Sequence, residues 1–171
     1  DAAVRVAELE STTDRIDELA ARVEVLTVER ERAAATLTAR RTAAASTLGD
    51  RITEELTHLA MGSATVTVDV ADAGRFGAEG RDDVEIRLAS GSGTAPRSVT
   101  KAASGGELSR VMLALEVATA TETASVPTFV FDEVDAGVGG RAALDVGARL
   151  AALARHAQVI VVTHLAQVAA H

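Results

Sequence analysis

The chain has 171 residues, with 25 Asp and Glu against 17 Lys and Arg, for a formal net charge of −8. It contains no Cys, which excludes disulfide, zinc-thiolate and thiol-redox chemistry, and its aromatic content of 2% requires an aliphatic core. The acidic balance disfavours this piece as a strong nucleic-acid binder by itself, since phosphate binding rests on Lys and Arg, and Lys101 is the only lysine. His58, His156, His164 and His171 are too scattered to suggest a metal-ligand cluster. No apolar run approaches the roughly 20 residues of a membrane helix and no signal peptide opens the chain, so a cytoplasmic protein is expected.

In chain order, residues 1–61 lack Pro, hold a single Gly (Gly49) and are rich in Ala, Glu, Arg and Leu, which predicts one long helix. Leu9, Ile16 and Val23 recur at heptad spacing, with Thr12, Leu19 and Leu26 as the companion set. The seam weakens at Arg30 and Arg40, and the apolar stripe then moves to Leu48, Ile52, Leu56 and Leu59, a spacing suited to packing on a globular body. A helix of about 90 Å with so narrow a seam needs a second helical strand, so half of a coiled coil is expected. A solvated helix with charged faces is the alternative, and it would equally explain Arg40, Arg41 and Arg51, which are otherwise candidates for DNA contact.

From residue 62 the texture changes. Val66, Val68 and Val70 alternate with polar residues, as do Val84, Ile86 and Leu88, which predicts a hairpin whose polar, Gly-rich loop covers residues 71–82. A loop from Ser90 to Arg97, a helix from about Ser104 to Thr123, a strand at Thr128–Phe131, a helix from Arg141 to Arg155 and a strand at Gln158–Thr163 complete the pattern. Two apolar strands joined by a helix argue for a parallel βαβ unit covered on both faces.

Three loops carry residues suited to chemistry. Ser104-Gly105-Gly106-Glu107 reads as a capping box at a helix start, and its two glycines also suit an anion, because they expose backbone N–H groups at the positive end of a helix. Asp132 and Glu133 follow an apolar strand, at the sheet edge where α/β proteins bind ligands. There Asp132 could hold Mg²⁺ through water and Glu133 could deprotonate an attacking water; a solvated strand end is the plainer alternative. His164 directly follows the last strand and could reach a terminal phosphate, although a strand-end His is often structural.

These strings resemble the motifs of ATP-binding-cassette ATPases. Ser104 to Glu107 is similar to their signature, Phe129 to Glu133 to the Walker B strand, Asp135 to Gly137 to the D-loop, and His164 to the switch histidine. A long helix leading into the cassette resembles the SMC-like branch. The stretches 102–115, 131–140 and 162–170 resemble the bacterial RecN family of that branch, with Ala103 where the general signature has Leu. The resemblance implies an α/β fold: the C-terminal lobe of an ABC/SMC-type P-loop ATPase head, with a hairpin and a parallel βαβ core (62–171), preceded by one returning coiled-coil helix (1–61).

It further implies an ATPase acting in DNA double-strand-break repair, in the bacterial cytoplasm and near the nucleoid, with ATP and Mg²⁺ as cofactors. No G-x-x-x-x-G-K-[ST] loop occurs, so the Walker A and the opposing coil strand are expected on an N-terminal lobe upstream; this chain alone should be inactive, and further chain is expected after His171. The implied reaction needs two heads. Ser104, Gly105, Gly106 and Glu107 close over the partner's nucleotide, Asp132 supports Mg²⁺, Glu133 is the general base, His164 meets the γ-phosphate, and Asp135 and Gly137 carry the engagement state between heads. DNA and a second copy are thus expected partners, and a membrane is not. A transporter cassette, a Rad50-type head and a coiled-coil module on an inactive nucleotide fold are the alternatives.

Overall fold

The computed structural model describes residues 2–120 and 128–171, so the 121–123 end of the expected helix lies outside the described residues, as does the side chain of Leu9. The first helix, α1, runs Ala2–His58. It stops where Ala60 takes a left-handed backbone (φ 59°) and the Met61 amide donates back to the Leu56 carbonyl at 3.0 Å, a Schellman-type end built without glycine. Strands β1 (Thr65–Gly77), β2 (Gly80–Ala89) and β3 (Arg97–Ser98) form one sheet in that order. After the short α2 (Val99–Ala102) come α3 (Gly105–Thr119), β4 (Thr128–Asp132), α4 (Arg141–Leu153), β5 (Gln158–Val162) and α5 (Ala166–Ala169).

Contacts divide the chain into two compact units. The first comprises residues 1–41 and 72–82. Here the expected loop at 71–82 is corrected: β1 and β2 continue through it and are joined by only Ala78 and Glu79, so they pair antiparallel. The glycines that read as a loop serve the strands instead. Gly80 has φ 98°, and a Cβ there would meet Leu37 Cδ2 at 2.9 Å. Asp82 accepts from the Thr38 hydroxyl (2.7 Å) and the Arg41 guanidinium (3.1 Å), and the bond from Thr38 is the main reason its carboxyl is held below the ordinary range. Arg81 reaches Glu31 at 3.5 Å, and Arg30 stacks over the Phe76 ring at 3.9 Å. Ile16, Leu19, Val23 and Leu26 remain exposed along the heptad seam.

The second unit comprises residues 42–71 and 83–171. Its core takes Ile52, Leu56 and Leu59 from α1, Leu88 from β2, Val111 and Leu113 from α3, and Val146, Leu150 and Leu153 from α4, with Phe131 as the one buried aromatic. Burying each such aliphatic side chain contributes about 1.5–3 kcal/mol. Gly49 lets β1 pass close to the helix, since a Cβ there would lie 3.1 Å from the Val66 carbonyl oxygen. The Thr53 hydroxyl takes up the Val66 amide at 3.0 Å.

Strands β4 and β5 pair in parallel, with Val130 opposite Ile160 and Asp132 opposite Val162. The expectation that both faces are covered is corrected. Phe129, Phe131, Val159 and Val161 face the core, whereas Val130, Ile160 and Val162 are 66%, 49% and 58% exposed. Strand periodicity places alternate residues on opposite faces, and within this chain the helices cover only one of them.

Candidate functional site

Three segments converge where β4 ends. Parallel pairing of β4 with β5 brings Asp132–Ala136 and Thr163–His164 to the same sheet edge, and α3 begins against that loop. At the start of α3, the Ser104 amide donates to the Glu107 carboxylate at 2.9 Å while the Glu107 amide donates to the Ser104 hydroxyl at 3.4 Å. This completed capping box, led by the bond from the Ser104 amide, holds the Glu107 carboxyl below its ordinary range. It also engages two of the four amides that a helix start leaves without intrahelical acceptors; the other two belong to Gly105 and Gly106.

The paired glycines answer a packing demand as well. A Cβ on Gly106 would lie 2.8 Å from the Ala136 Cβ and 2.9 Å from the Glu133 carbonyl oxygen, so no side chain fits. A Cβ on Gly105 would meet only the Glu133 carboxylate, at 2.9 Å, and that flexible end can move. Helix α3 grips the loop further through residues to which the sequence pattern assigned no role. The Ser109 hydroxyl donates to the Asp132 carbonyl at 2.7 Å. Arg110, buried at 7% exposure, donates to the carbonyls of Ala136 (2.8 Å) and Val134 (3.4 Å). Burial lowers its pKa, offset in part by Glu107. The sequence marks Arg110 only as a cation directly before the apolar run Val111 to Leu115, which hints at its burial and not at its acceptors.

Within the loop, Asp132 and Glu133 are exposed and Val134 and Asp135 are buried. Glu133 has φ 55°, a left-handed conformation that costs a non-glycine residue on the order of 1 kcal/mol. Asp135 is enclosed, with its side chain 2% exposed. It accepts from the Thr163 hydroxyl and, at 3.2 Å, from the His164 amide, and it lies 3.3 Å from His164 Nδ1. Burial pushes the Asp135 carboxyl up, but the hydrogen bonds from Thr163 and the backbone, with the nearby His164, outweigh it and leave the pKa below the usual value. The His164 imidazole is itself 72% exposed, with Nδ1 beside Asp135. Thr163 is a third contributor without an expected role; its position at the strand end was the only hint. Gly137 has φ 73° and lets the chain turn towards α4.

The sequence-derived site residues therefore meet at one edge: Ser104 to Glu107 abut Glu133, and Asp135 joins the same loop to His164. Among the described residues, no group of three or more His, Cys, Asp or Glu is arranged to hold a metal ion. An ion at Asp132 would need its other ligands from water and a bound anion, which suits Mg²⁺ and excludes an all-protein cage.

Known proteins share this pattern. Over 146 residues the chain is 52% identical to the DNA repair protein RecN of Streptomyces coelicolor, covering 78% of this chain and 25% of that protein. The RecN of Mycobacterium leprae is 45% identical over 187 aligned positions, covering 98% of this chain and 32% of that protein. The chain is a homologue of one portion of RecN. It spans about a quarter to a third of the length of these curated relatives. No family model matches. Among solved structures, an Smc head domain with an extended coiled coil from Pyrococcus furiosus matches this RecN-like chain with a TM-score of 0.54 at 21% identity, over 77% of the chain and 31% of that protein. That likeness gives the fold: an SMC-head lobe with its coiled-coil helix.

Proposed function

We propose that the chain is the C-terminal half of an SMC-like ATPase head of the RecN type, which hydrolyses ATP between two engaged heads to act on DNA in strand-break repair. The observation that carries this reading is the 45% identity to a DNA repair protein RecN over 98% of the chain, spanning the signature-like, Walker-B-like and switch-like segments. The proposed parts are a returning coiled-coil helix (1–61) and the head lobe (62–171). The exposed row Val130, Ile160 and Val162 suits an element of the N-terminal lobe, the lobe that carries the Walker A, packed on that face of the sheet. The exposed seam at Ile16, Leu19, Val23 and Leu26 suits the opposing coil strand. Action in the bacterial cytoplasm follows from the same reading, and no described helix is long and apolar enough to cross a membrane.

In the reaction, Glu133 takes the proton of the attacking water, and its exposed carboxylate at the sheet edge is free to do so. Asp132 would hold Mg²⁺, and the ion when bound would neutralise phosphate charge. His164 meets the terminal phosphate from the neighbouring strand. The amides of Gly105 and Gly106 face the nucleotide of the second head, where a helix N-terminus favours an anion. Because α3 also grips the loop that holds Glu133, the start of this helix serves both roles: it receives one nucleotide and positions the base for the other.

The test is Mg-ATP turnover by this chain alone and mixed with its N-terminal lobe, with Glu133→Gln as control. Turnover should appear only on mixing and fall about a hundredfold or more in the variant. Unchanged turnover in Glu133→Gln would remove the assignment of the base.

A further inference from the structure

Asp135 presents an arrangement that the ATPase reading does not use. It is a buried acid whose carboxylate lies 3.3 Å from Nδ1 of an exposed imidazole, and its hydrogen-bond donors, the Thr163 hydroxyl and the His164 amide, hold it against the same two residues. An acid this enclosed is poorly placed to signal across an interface. It is well placed to fix a neighbour. A neutral imidazole carries one proton, and a carboxylate accepts; an anion at Nδ1 therefore selects the Nδ1–H form and leaves Nε2 as the bare, outward nitrogen.

We propose that Asp135 is a positioning residue within its own chain, which fixes the tautomer and direction of His164 so that Nε2 is turned outward as a hydrogen-bond acceptor. The proposal rests on the ATPase reading only for what Nε2 then meets, an O–H of the attacking water beside the terminal phosphate. Thr163 completes the device. Its hydroxyl donates to Asp135 and accepts the Leu165 amide at 3.1 Å, which ties the acid to the backbone on both sides of the histidine. Ser109 and Arg110 hold the other side of the loop through its carbonyls, so the acid cannot retreat from the imidazole without breaking bonds to α3. The substitution that separates charge from shape is Asp135→Asn. It keeps the volume, but its amide N–H₂ can donate to Nδ1 and thereby favour the opposite tautomer.

The test reads the tautomer directly, by two-bond ¹H–¹⁵N correlation on the ¹⁵N-labelled full chain at about pH 8, above the usual imidazole range. The expected result for His164 is a protonated Nδ1 and a bare Nε2, and for Asp135→Asn a shift to the Nε2–H form. A native chain with His164 mainly in the Nε2–H form overturns the proposal, and this needs no variant to fold. An unaltered tautomer in a folded Asp135→Asn chain also overturns it. In the complex with the N-terminal lobe, Asp135→Asn should lower kcat by at least about tenfold while the KM for ATP changes little, and should add nothing on a His164→Ala background. Full turnover in His164→Ala would remove the phosphate-facing role of the histidine and leave the tautomer result standing, so the two readings fail separately.

Discussion

The loop after β4 and the tip of the hairpin are both polar, yet they are held in opposite ways. At the loop, side chains bond mostly to backbone: the buried Arg110 to two carbonyls, the half-buried Ser109 to a third, and the buried Asp135 to an amide and to the Thr163 hydroxyl. At the hairpin tip, side chains pair with side chains, Asp82 with Thr38 and Arg41, Arg81 with Glu31, and Arg30 with Phe76. Backbone-directed bonds in a desolvated setting fix geometry and fail badly when one member is lost. The pair of Arg81 with Glu31 is open to solvent, tolerates replacement and weakens with salt, whereas the Asp82 carboxylate is enclosed between Thr38 and Arg41. The first region is built to hold atoms in place, and the second to keep two elements side by side.

The sharpest way to break this contrast is Gly106→Ala. Its Cβ would press on the Ala136 Cβ and the Glu133 carbonyl, so we expect a loss of about 1–3 kcal/mol by urea unfolding. Gly105→Ala should cost far less, because only the movable Glu133 carboxylate is in the way and alanine favours the helix by up to about 1 kcal/mol. Equal losses at both glycines would end the claim that the loop is rigidly seated. Asp135→Asn follows, with an expected loss of about 1–3 kcal/mol at neutral pH. The folded carboxyl has a lowered pKa, so its stabilisation is complete above the unfolded value of about 3.9 and disappears as pH falls through the folded one. The stability gap between the native chain and the variant should therefore close below about pH 4. Glu133→Gly comes next and has the opposite sign: removing the left-handed strain should raise stability by up to about 1 kcal/mol while abolishing turnover in the assembled head. The smallest effect is expected at the hairpin tip. Glu31→Gln, which removes the pair with Arg81, should destabilise the first unit slightly at low salt and much less near 1 M, where the Debye length is about 3 Å.

How much of this was legible in the sequence differs between the same two regions. The stripe from Ile52 to Leu59, the capping box at Ser104 and the order of apolar strand, helix and apolar strand from β4 to β5 are written in local pattern, and the fold follows them. The hairpin tip was misread because Gly74, Gly77 and Gly80 look like loop residues when their cross-strand neighbours are unknown. Turn chemistry is local, and strand pairing is not. The exposed face at Val130, Ile160 and Val162 was misread for a related reason: an all-apolar strand states that cover is needed without saying which chain provides it. Of the site, the acids and the histidine could be named from their places at strand ends. The grip of Ser109 and Arg110 on carbonyls could not, because a side chain bonded to backbone leaves no partner residue type to recognise.

Glu133 occupies a backbone position that glycine or asparagine would fill more comfortably. A chain shaped for endurance alone would not place a β-substituted acid there, next to a glycine that can spare it only a side chain's width. The strained residue thus records a trade between robustness and reactivity: the loop keeps a carboxylate where the backbone resists it, and the neighbouring helix supplies the restraint that makes this tolerable.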